Sequence, residues 1–343
     1  MTETSLSSQS FPILVPNNSN AQPLIFFLTG IPGLKATQYW ISIPFCLLYV
    51  VALSGNSMIL FVVLCERSLH KPMYCFLSML SVTDLSLSLC TLSAILGVFW
   101  FEAQEISLYT CIAQMFFLHG FTFMESGVLL AMAFDRFVTI CDTLRYTTIF
   151  TNARIAKIGI SVLIRNVAVM LPVVLFVKRL SFCSSMVLSH SYCYRVDLIQ
   201  LSCTDNRINS ILGLFALFST TGFDCPCILL CYVLIIRSVL SIPSSEERQK
   251  AFNTCTSHIS AAALAIFYIP LISLSLAHRC GHSAPPFVHT IRANVFLLIP
   301  PVLNPIIYSV KTKQIRKAII KVLIQKQFKS NHQLFLIRDK AIY

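Results

Sequence analysis

The sequence is poor in charge and in glycine, and each shortage excludes a class of protein. Only 12% of the 343 residues are Asp, Glu, Lys or Arg, whereas a soluble globular domain carries about 25%. A soluble enzyme is therefore disfavoured. The 10 glycines and the apolar content of 56% also argue against a collagen repeat and a disordered chain. The composition favours a polytopic membrane domain.

Metal, leader and catalytic motifs are missing as well. The 14 cysteines include no CxxC pair, and the CxC pair Cys225 and Cys227 lies in an apolar run without carboxylate or His ligands nearby. No basic segment followed by a short apolar core and a cleavage site precedes the first apolar run, so we expect no cleaved signal peptide. Ser, His and Asp are scattered without a catalytic pattern. We therefore predict a protein that is not an enzyme.

Seven apolar runs are long enough to cross a bilayer, which takes roughly 20 apolar residues per helix. They predict an all-α membrane protein, a seven-transmembrane helix bundle whose helices we number one to seven. A transporter or channel would need a repeat or a polar path, and neither is seen. The runs lie at about 41–65, 73–101, 111–141, 156–177, 210–240, 253–278 and 289–310.

Charge predicts the orientation of this bundle in the plasma membrane. Segments that would be cytoplasmic with the N-terminus outside hold more than twice as many Lys and Arg as the opposite segments. We therefore expect residues 1–40 to be extracellular, 41–310 to form the bundle and 311–343 to be a cytoplasmic tail. Asn17 begins an Asn-x-Ser glycosylation pattern. The charged residues behind the net charge of +12 then lie in the segments on either side of the membrane, and we expect no nucleic-acid partner.

The start of the tail alternates basic and apolar residues, with Lys313, Lys317 and Lys321 among the first and Ile315 and Ile319 among the second. This pattern predicts a short amphipathic eighth helix on the anionic lipid of the inner leaflet. A solvated tail helix is the alternative.

Five motifs resemble those of the odorant receptors, a branch of the rhodopsin-like seven-helix receptors, over about residues 26–325. They are Gly55-Asn56, PMYCFL at 72–77, MAFDRFVTIC at 132–141, KAFNTCTSH at 250–258 and PVLNPIIY at 301–308. Within the family, FLTGIPGL at 27–34 and VKTKQIR at 310–316 resemble the class I, fish-like subgroup. That resemblance implies a hydrophilic odorant, such as a carboxylic acid, and a heterotrimeric stimulatory G protein that raises cyclic AMP.

The resemblance also implies switch residues at the inner end of the bundle. Asp135 and Arg136 should pair, because either charge alone would be costly near the membrane, and Arg136 would be freed on activation to face the G protein. In helix seven, Asn304 and Tyr308 are expected switch elements, and Pro305 should kink the helix.

Three departures leave a weakly coupled receptor open as an alternative. Phe137 stands where the family has Tyr, Thr143 stands where it has Pro, and Pro226 lies inside helix five. A rhodopsin-like receptor for a non-odorant metabolite is a further alternative.

Two carboxylates, Asp84 and Glu125, lie inside helices two and three. Two buried carboxylates near each other share a proton or hold a cation, and the resemblance implies a sodium-type site. Hydrogen bonding to neighbouring helices is the alternative. No other cofactor is expected.

Four cysteines are expected at the oxidising outer face, where they allow three pairings. The family pattern implies the disulfides Cys111–Cys193 and Cys183–Cys203.

A ligand pocket is expected to open outward among helices three, five, six and seven. Arg279 and Ser275 share a face of helix six, and an Arg there would bind a carboxylate through two parallel bonds, unless it reaches out to headgroups or water. Arg195 would lie over the same opening, where the family often has His. The other expected contacts are Met115, His119 and Thr122 on one face of helix three and Phe218 and Thr221 on helix five.

For two of the polar residues a structural role competes with ligand contact. His119 would either donate to a ligand oxygen or be satisfied by a hydrogen bond between helices. For Arg165 in helix four, a structural role between helices is favoured over ligand contact.

Overall fold

The computed structural model describes residues 25–29, 38–101, 103–183, 186–246, 248–249 and 286–324. Within these ranges, 6 helices are long and apolar enough to cross a membrane. Helix six, expected at 253–278, lies outside the described residues. The described spans are Gln38–Cys65, Pro72–Phe99, Leu108–Cys141 and Asn152–Val177 for helices one to four, Arg207–Ser219 with Thr221–Leu240 for helix five, and Pro286–Lys311 for helix seven.

Local capping explains where several of these helices begin. Pro72 occupies the first turn of helix two. The backbone N–H that proline lacks has no partner within the helix at that position, so no helix hydrogen bond is lost. The Ser107 hydroxyl accepts from Thr110 N at the start of helix three, and the Thr151 hydroxyl accepts from Arg154 N at the start of helix four. Side-chain caps of this kind satisfy backbone donors that no preceding turn can reach.

Helix five is interrupted at Thr220. The backbone there has φ −105° and ψ −82°, outside helical values. The carbonyl of Thr220 accepts from both Phe223 N and Asp224 N. The interruption therefore divides helix five into an outer and an inner part.

Helix three is the central element, since it packs against helices two, four and five. Its side chains Leu129, Met132 and Ala133 belong to the main hydrophobic core, which also contains Leu80 of helix two and Tyr308 of helix seven. Apolar side chains that point away from this core are exposed, as on helices one and five. An apolar exterior of this kind suits contact with lipid.

A small sheet, which the all-α prediction did not include, covers one end of the bundle. Strand β1 (Ile25–Leu28) pairs antiparallel with β2 (Glu105–Ser107) and parallel with β3 (Val187–Leu188). We call this end the outer end. Phe26 and Leu28 are buried, so the strand is held by side-chain packing as well as by its ladder.

Beyond helix seven, residues 313–324 are helical, which confirms the predicted eighth helix. Ile315 and Ala318 are buried against the bundle. Lys321 Nζ lies 2.8 Å from Glu66 Oε2, and the Tyr74 hydroxyl donates to Gln314 Oε1 at 2.6 Å. The helix is therefore tied to the first inner loop and to helix two.

Candidate functional site

A cavity of about 270 Å³ lies in the outer half of the bundle. Helices three, four, five and seven contribute its walls, and residues 192–199 of the second outer loop cover it. Most of the lining is apolar, including Phe123, Met170, Val173 and Leu217. Concave, mostly apolar cavities with a few polar groups are typical small-molecule sites.

Two disulfides hold the covering loop, and both were expected. They join Cys111 to Cys193 and Cys183 to Cys203. Cys193 N also donates to Gln114 Oε1 at 2.9 Å. The residues that follow Cys193 are thereby fixed beside helix three.

Polar contacts inside the loop complete this cover. His190 Nδ1 lies 2.7 Å from Asp197 Oδ2, which also accepts from Ser189 N at 3.1 Å. The Thr290 hydroxyl donates to Ser189 O at 2.8 Å. This last bond ties the loop to helix seven, so the cover is attached on two sides of the cavity.

The cavity brings together three of the residues predicted to contact ligand. His119, Thr122 and Arg195 line it. Thr122 donates its hydroxyl back to Leu118 O at 2.9 Å, as serines and threonines in helices often do. His119 Nε2 is buried and has no hydrogen-bond partner among the residues that the structure describes. A bound polar group would satisfy it.

Three other predicted contacts lie elsewhere in the described structure. Met115 is fully buried in the core cluster that contains Cys111, and Thr221 is buried on the inner side of the interruption in helix five. The Phe218 side chain is 66% exposed on the outside of helix five. None of the three is among the lining residues that the structure describes. Ser275 and Arg279 lie outside the described residues, as does Asn17.

The loop also supplies lining residues that the sequence did not predict. Tyr192, Tyr194, Val196 and Ile199 face the cavity together with Arg195. Burial raises the pKa of Tyr194 to about 12, so its hydroxyl keeps its proton at neutral pH. The Cys193 disulfide was the available signal, because it carries its sequence neighbours to the mouth of helix three.

An ion pair crosses the bundle below the cavity. Both nitrogens of the Arg165 fork bind the Asp224 carboxylate, at 2.6 and 2.8 Å. The Ser126 hydroxyl donates to the same carboxylate at 2.7 Å. Asp224 is completely buried, so this group joins helices three, four and five. The structural role favoured for Arg165 is confirmed.

The backbone of helix three makes room for this pair. A Cβ added at Gly127 would lie 2.8 Å from Arg165 Nη2 and 2.8 Å from Val162 Cγ1. Contacts this short force a neighbour to move. Gly127 therefore allows the Arg165 side chain to pass helix three and reach Asp224.

Asp84 and Glu125 meet at Asn304 in the middle of the bundle. The Asn304 amide donates to Asp84 Oδ2 at 3.0 Å and to Glu125 Oε1 at 3.3 Å. Both carboxylates are buried. In the described part of the chain, Asp84 Oδ1, Glu125 Oε2 and Ser88 Oγ have no hydrogen-bond partner. Oxygen atoms in this arrangement suit a hard cation or a shared proton.

At the inner end, Arg136 Nη2 lies 3.6 Å from Asp135 Oδ2, as expected. The Tyr146 hydroxyl donates to Asp135 Oδ1 at 3.0 Å. Burial raises the pKa of Tyr146, so the hydroxyl remains a donor. Tyr308 of helix seven approaches Met132 Sδ at 4.0 Å. The Asp135 carboxylate therefore has the Arg136 guanidinium and the Tyr146 hydroxyl as neighbours at the inner end of the bundle.

The three residues that depart from the family motifs are accommodated locally. Thr143 donates its hydroxyl to Thr139 O at 2.9 Å. Phe137 packs against the main core. Pro226 lies within the inner part of helix five, which continues to Leu240.

Close packing also joins helices one and seven at Pro305. Asn56 donates to Pro301 O at 2.8 Å. A Cβ at Gly55 would lie 2.8 Å from Pro305 Cβ. The paired motif Gly55-Asn56 therefore fits the proline-bearing segment of helix seven.

Comparison with known proteins identifies the family. The sequence profile of the olfactory receptor family matches residues 45–326. Human olfactory receptor 51F2 is 87% identical over 343 residues, the full length of both chains. Human olfactory receptor 51F1 is 60% identical over 310 residues, 90% of this chain and 97% of that receptor.

A solved structure supports the fold independently. The crystal structure of squid rhodopsin superposes with a TM-score of 0.68 at 17% identity, over 86% of this chain and 87% of that one. This likeness confirms the predicted seven-helix fold, and the family match confirms the predicted resemblance. The chain therefore belongs to the olfactory receptor family, whose members are multi-pass membrane receptors that signal through G proteins and are not enzymes.

Proposed function

We propose that this receptor binds a small polar or carboxylate-bearing odorant in the outer cavity and activates a stimulatory G protein that raises cyclic AMP. It would do so from the plasma membrane with its N-terminus outside. The observation that carries the proposal is the placement of Arg195 and His119 in the wall of an otherwise mostly apolar cavity.

The cavity has the two parts that a fatty-acid-like odorant requires. Its apolar walls, such as Met170 and Val173, would take the carbon chain, each buried CH₂ contributing about 0.8 kcal/mol. The Arg195 guanidinium would take the carboxylate through charge-assisted bonds, and His119 would donate to the same group. From helix six, Arg279 and Ser275 remain predicted contacts.

Signalling would follow from a shift between two arrangements of the helices. A ligand that binds one arrangement better raises its population. We expect the favoured arrangement to have helix six moved outward. Arg136 would then leave Asp135 and face the G protein, while Asn304 and Tyr308 change partners in helix seven.

We propose that Asp84 and Glu125 hold a sodium ion or share a proton. Asp84 Oδ1, Glu125 Oε2 and the Ser88 hydroxyl, which have no hydrogen-bond partner in the described part of the chain, fit an oxygen-ligated cation. An ion there would neutralise charge between helices two, three and seven. Asn304 would remain a neutral donor that orients both carboxylates. The tail helix, with its basic face, would rest on anionic lipid.

A cyclic AMP assay in cells that express the receptor tests this function. The panel contains short carboxylic acids, the matching alcohols and esters. We expect a response to acids, and a loss of acid potency of roughly 10- to 100-fold in Arg195→Ala and Arg279→Ala, the worth of one charged hydrogen bond.

Arg179→Ala is the matched control, because this exposed arginine lies beside the ring of Phe176. It should respond as the unmodified receptor does. Surface staining confirms equal display of all variants. Silence toward every acid at normal surface display would refute the carboxylate ligand.

A further inference from the structure

Gly213 in the outer part of helix five has an unusual neighbour. A Cβ built at this position would overlap the Arg195 guanidinium at Nη1, Nη2 and Cζ. All three nearest atoms thus belong to one charged group from the covering loop. A residue with any side chain at 213 would compete with that group for the same space.

The guanidinium is brought to this place from two directions. Arg195 begins the short helix Arg195–Gln200, two residues after the disulfide at Cys193. Its Nη1 donates to Asn209 O at 3.0 Å, one turn before Gly213. The charged group therefore lies along the backbone of helix five, and both Arg195 and Gly213 line the cavity.

The carboxylates of the covering loop have other partners. Asp197 binds His190 at 2.7 Å, and Asp205 lies 4.0 Å from Arg207. A guanidinium stays positively charged at physiological pH and offers N–H donors but no acceptor. Arg195 therefore brings positive charge and hydrogen-bond donors to a mostly apolar cavity.

We infer that Gly213 determines the selectivity of the cavity for anionic ligands, because its missing side chain admits the Arg195 guanidinium to the wall. This inference rests on the proposed function. Gly213 is a positioning residue: it acts through Arg195 and need not touch the ligand. Replacing it with Ala would displace the charge while leaving Arg195 in the chain.

The test compares acids with uncharged molecules of the same shape. Dose–response curves are measured for straight-chain carboxylic acids of four to nine carbons and for their methyl esters, with cyclic AMP as readout. Gly213→Ala should lower acid potency by about 10- to 100-fold and leave ester potency within about threefold. Gly97→Ala is the matched control, because a Cβ there meets nothing within 4 Å.

Two further variants separate positioning from damage to the fold. Arg195→Gln removes the charge without adding volume at Gly213 and should reproduce the acid-selective loss. The double variant Gly213→Ala with Arg195→Gln should be no weaker toward acids than the worse single variant, because both act on one group.

Each outcome decides the matter. Unchanged acid potency in Gly213→Ala overturns the inference while the proposed function stands. Equal losses of potency for acids and esters also overturn the inference, since they indicate that the added methyl group narrows the cavity for every ligand. An unmodified receptor that answers esters and no acid refutes the carboxylate ligand, and the inference falls with it.

Discussion

Removing one partner of the Arg165–Asp224 pair should destabilise the receptor far more than removing both. Asp224 is completely buried, and Arg165 supplies two of its hydrogen bonds. Among the residues that the structure describes, Arg165→Ala would leave the buried Asp224 carboxylate with the Ser126 hydroxyl as its side-chain donor. Breaking a buried pair in this way costs about 3–5 kcal/mol, so the ratio of folded to unfolded receptor falls by roughly a hundredfold or more.

The double substitution distinguishes charge burial from lost packing. Arg165→Met with Asp224→Leu removes both charges and keeps apolar volume, and such replacements are often neutral. We expect this variant to recover most of the stability lost in the single variants Arg165→Met and Asp224→Leu, which close the cycle. The interaction energy in the double-mutant cycle should therefore reach at least about 2 kcal/mol.

Thermal unfolding of the detergent-solubilised receptor measures these differences, with surface display in cells as a second readout. Arg154→Ala, at the exposed inner end of helix four, is the control for losing an arginine from this helix. Additive losses, with the double variant as unstable as the sum of the single ones, would refute the reasoning. Stability unchanged in Arg165→Ala would refute it equally.

Two further predictions concern the inner half. Gly55→Ala should lower stability by about 1–3 kcal/mol in thermal unfolding, because the new Cβ would lie 2.8 Å from Pro305 Cβ; an unchanged midpoint contradicts this. The hydrogen bond from Lys321 lowers the pKa of Glu66. The pairing is therefore fully present at any pH above the ordinary carboxyl pKa, and it is lost as the pH falls through the lowered pKa of Glu66. Spin labels on the tail helix and first inner loop should therefore separate in acid, and Glu66→Gln should separate them at neutral pH.

The spans and the presence of disulfides could be predicted from the surroundings, whereas the pairing of the cysteines was implied only by the family resemblance. A bilayer sets the length of each apolar run, and an oxidising exterior favours disulfides. The family resemblance also implied that Asp84 and Glu125 meet, whereas the sequence alone indicated only that each carboxylate inside an apolar helix needs a polar neighbour.

The residues that line the cavity were harder to predict than the spans. Phe218 and Thr221 were expected on the ligand face of helix five, and neither is among the described lining residues. The interruption at Thr220, which no local sequence pattern indicates, separates the two positions. The partner of Arg165 was also hidden, because Asp224 is 59 residues away in sequence and no local pattern joins them. The four residues of β1 are too few to signal a strand whose neighbours come from distant loops.

Helix three contributes polar residues to the outer, middle and inner parts of the bundle. It contributes His119 to the cavity wall, Glu125 and Ser126 to the two polar groups of the middle, and Asp135 with Arg136 to the inner end. Each polar residue inside a membrane helix costs free energy unless it finds a partner. Asn304 of helix seven, Asp224 of helix five and Tyr146 of the second inner loop provide such partners for Glu125, Ser126 and Asp135. A movement of helix three would therefore change contacts in all three parts of the bundle at once. Under the proposed function, we expect its polar residues to couple ligand binding to rearrangement at the inner end.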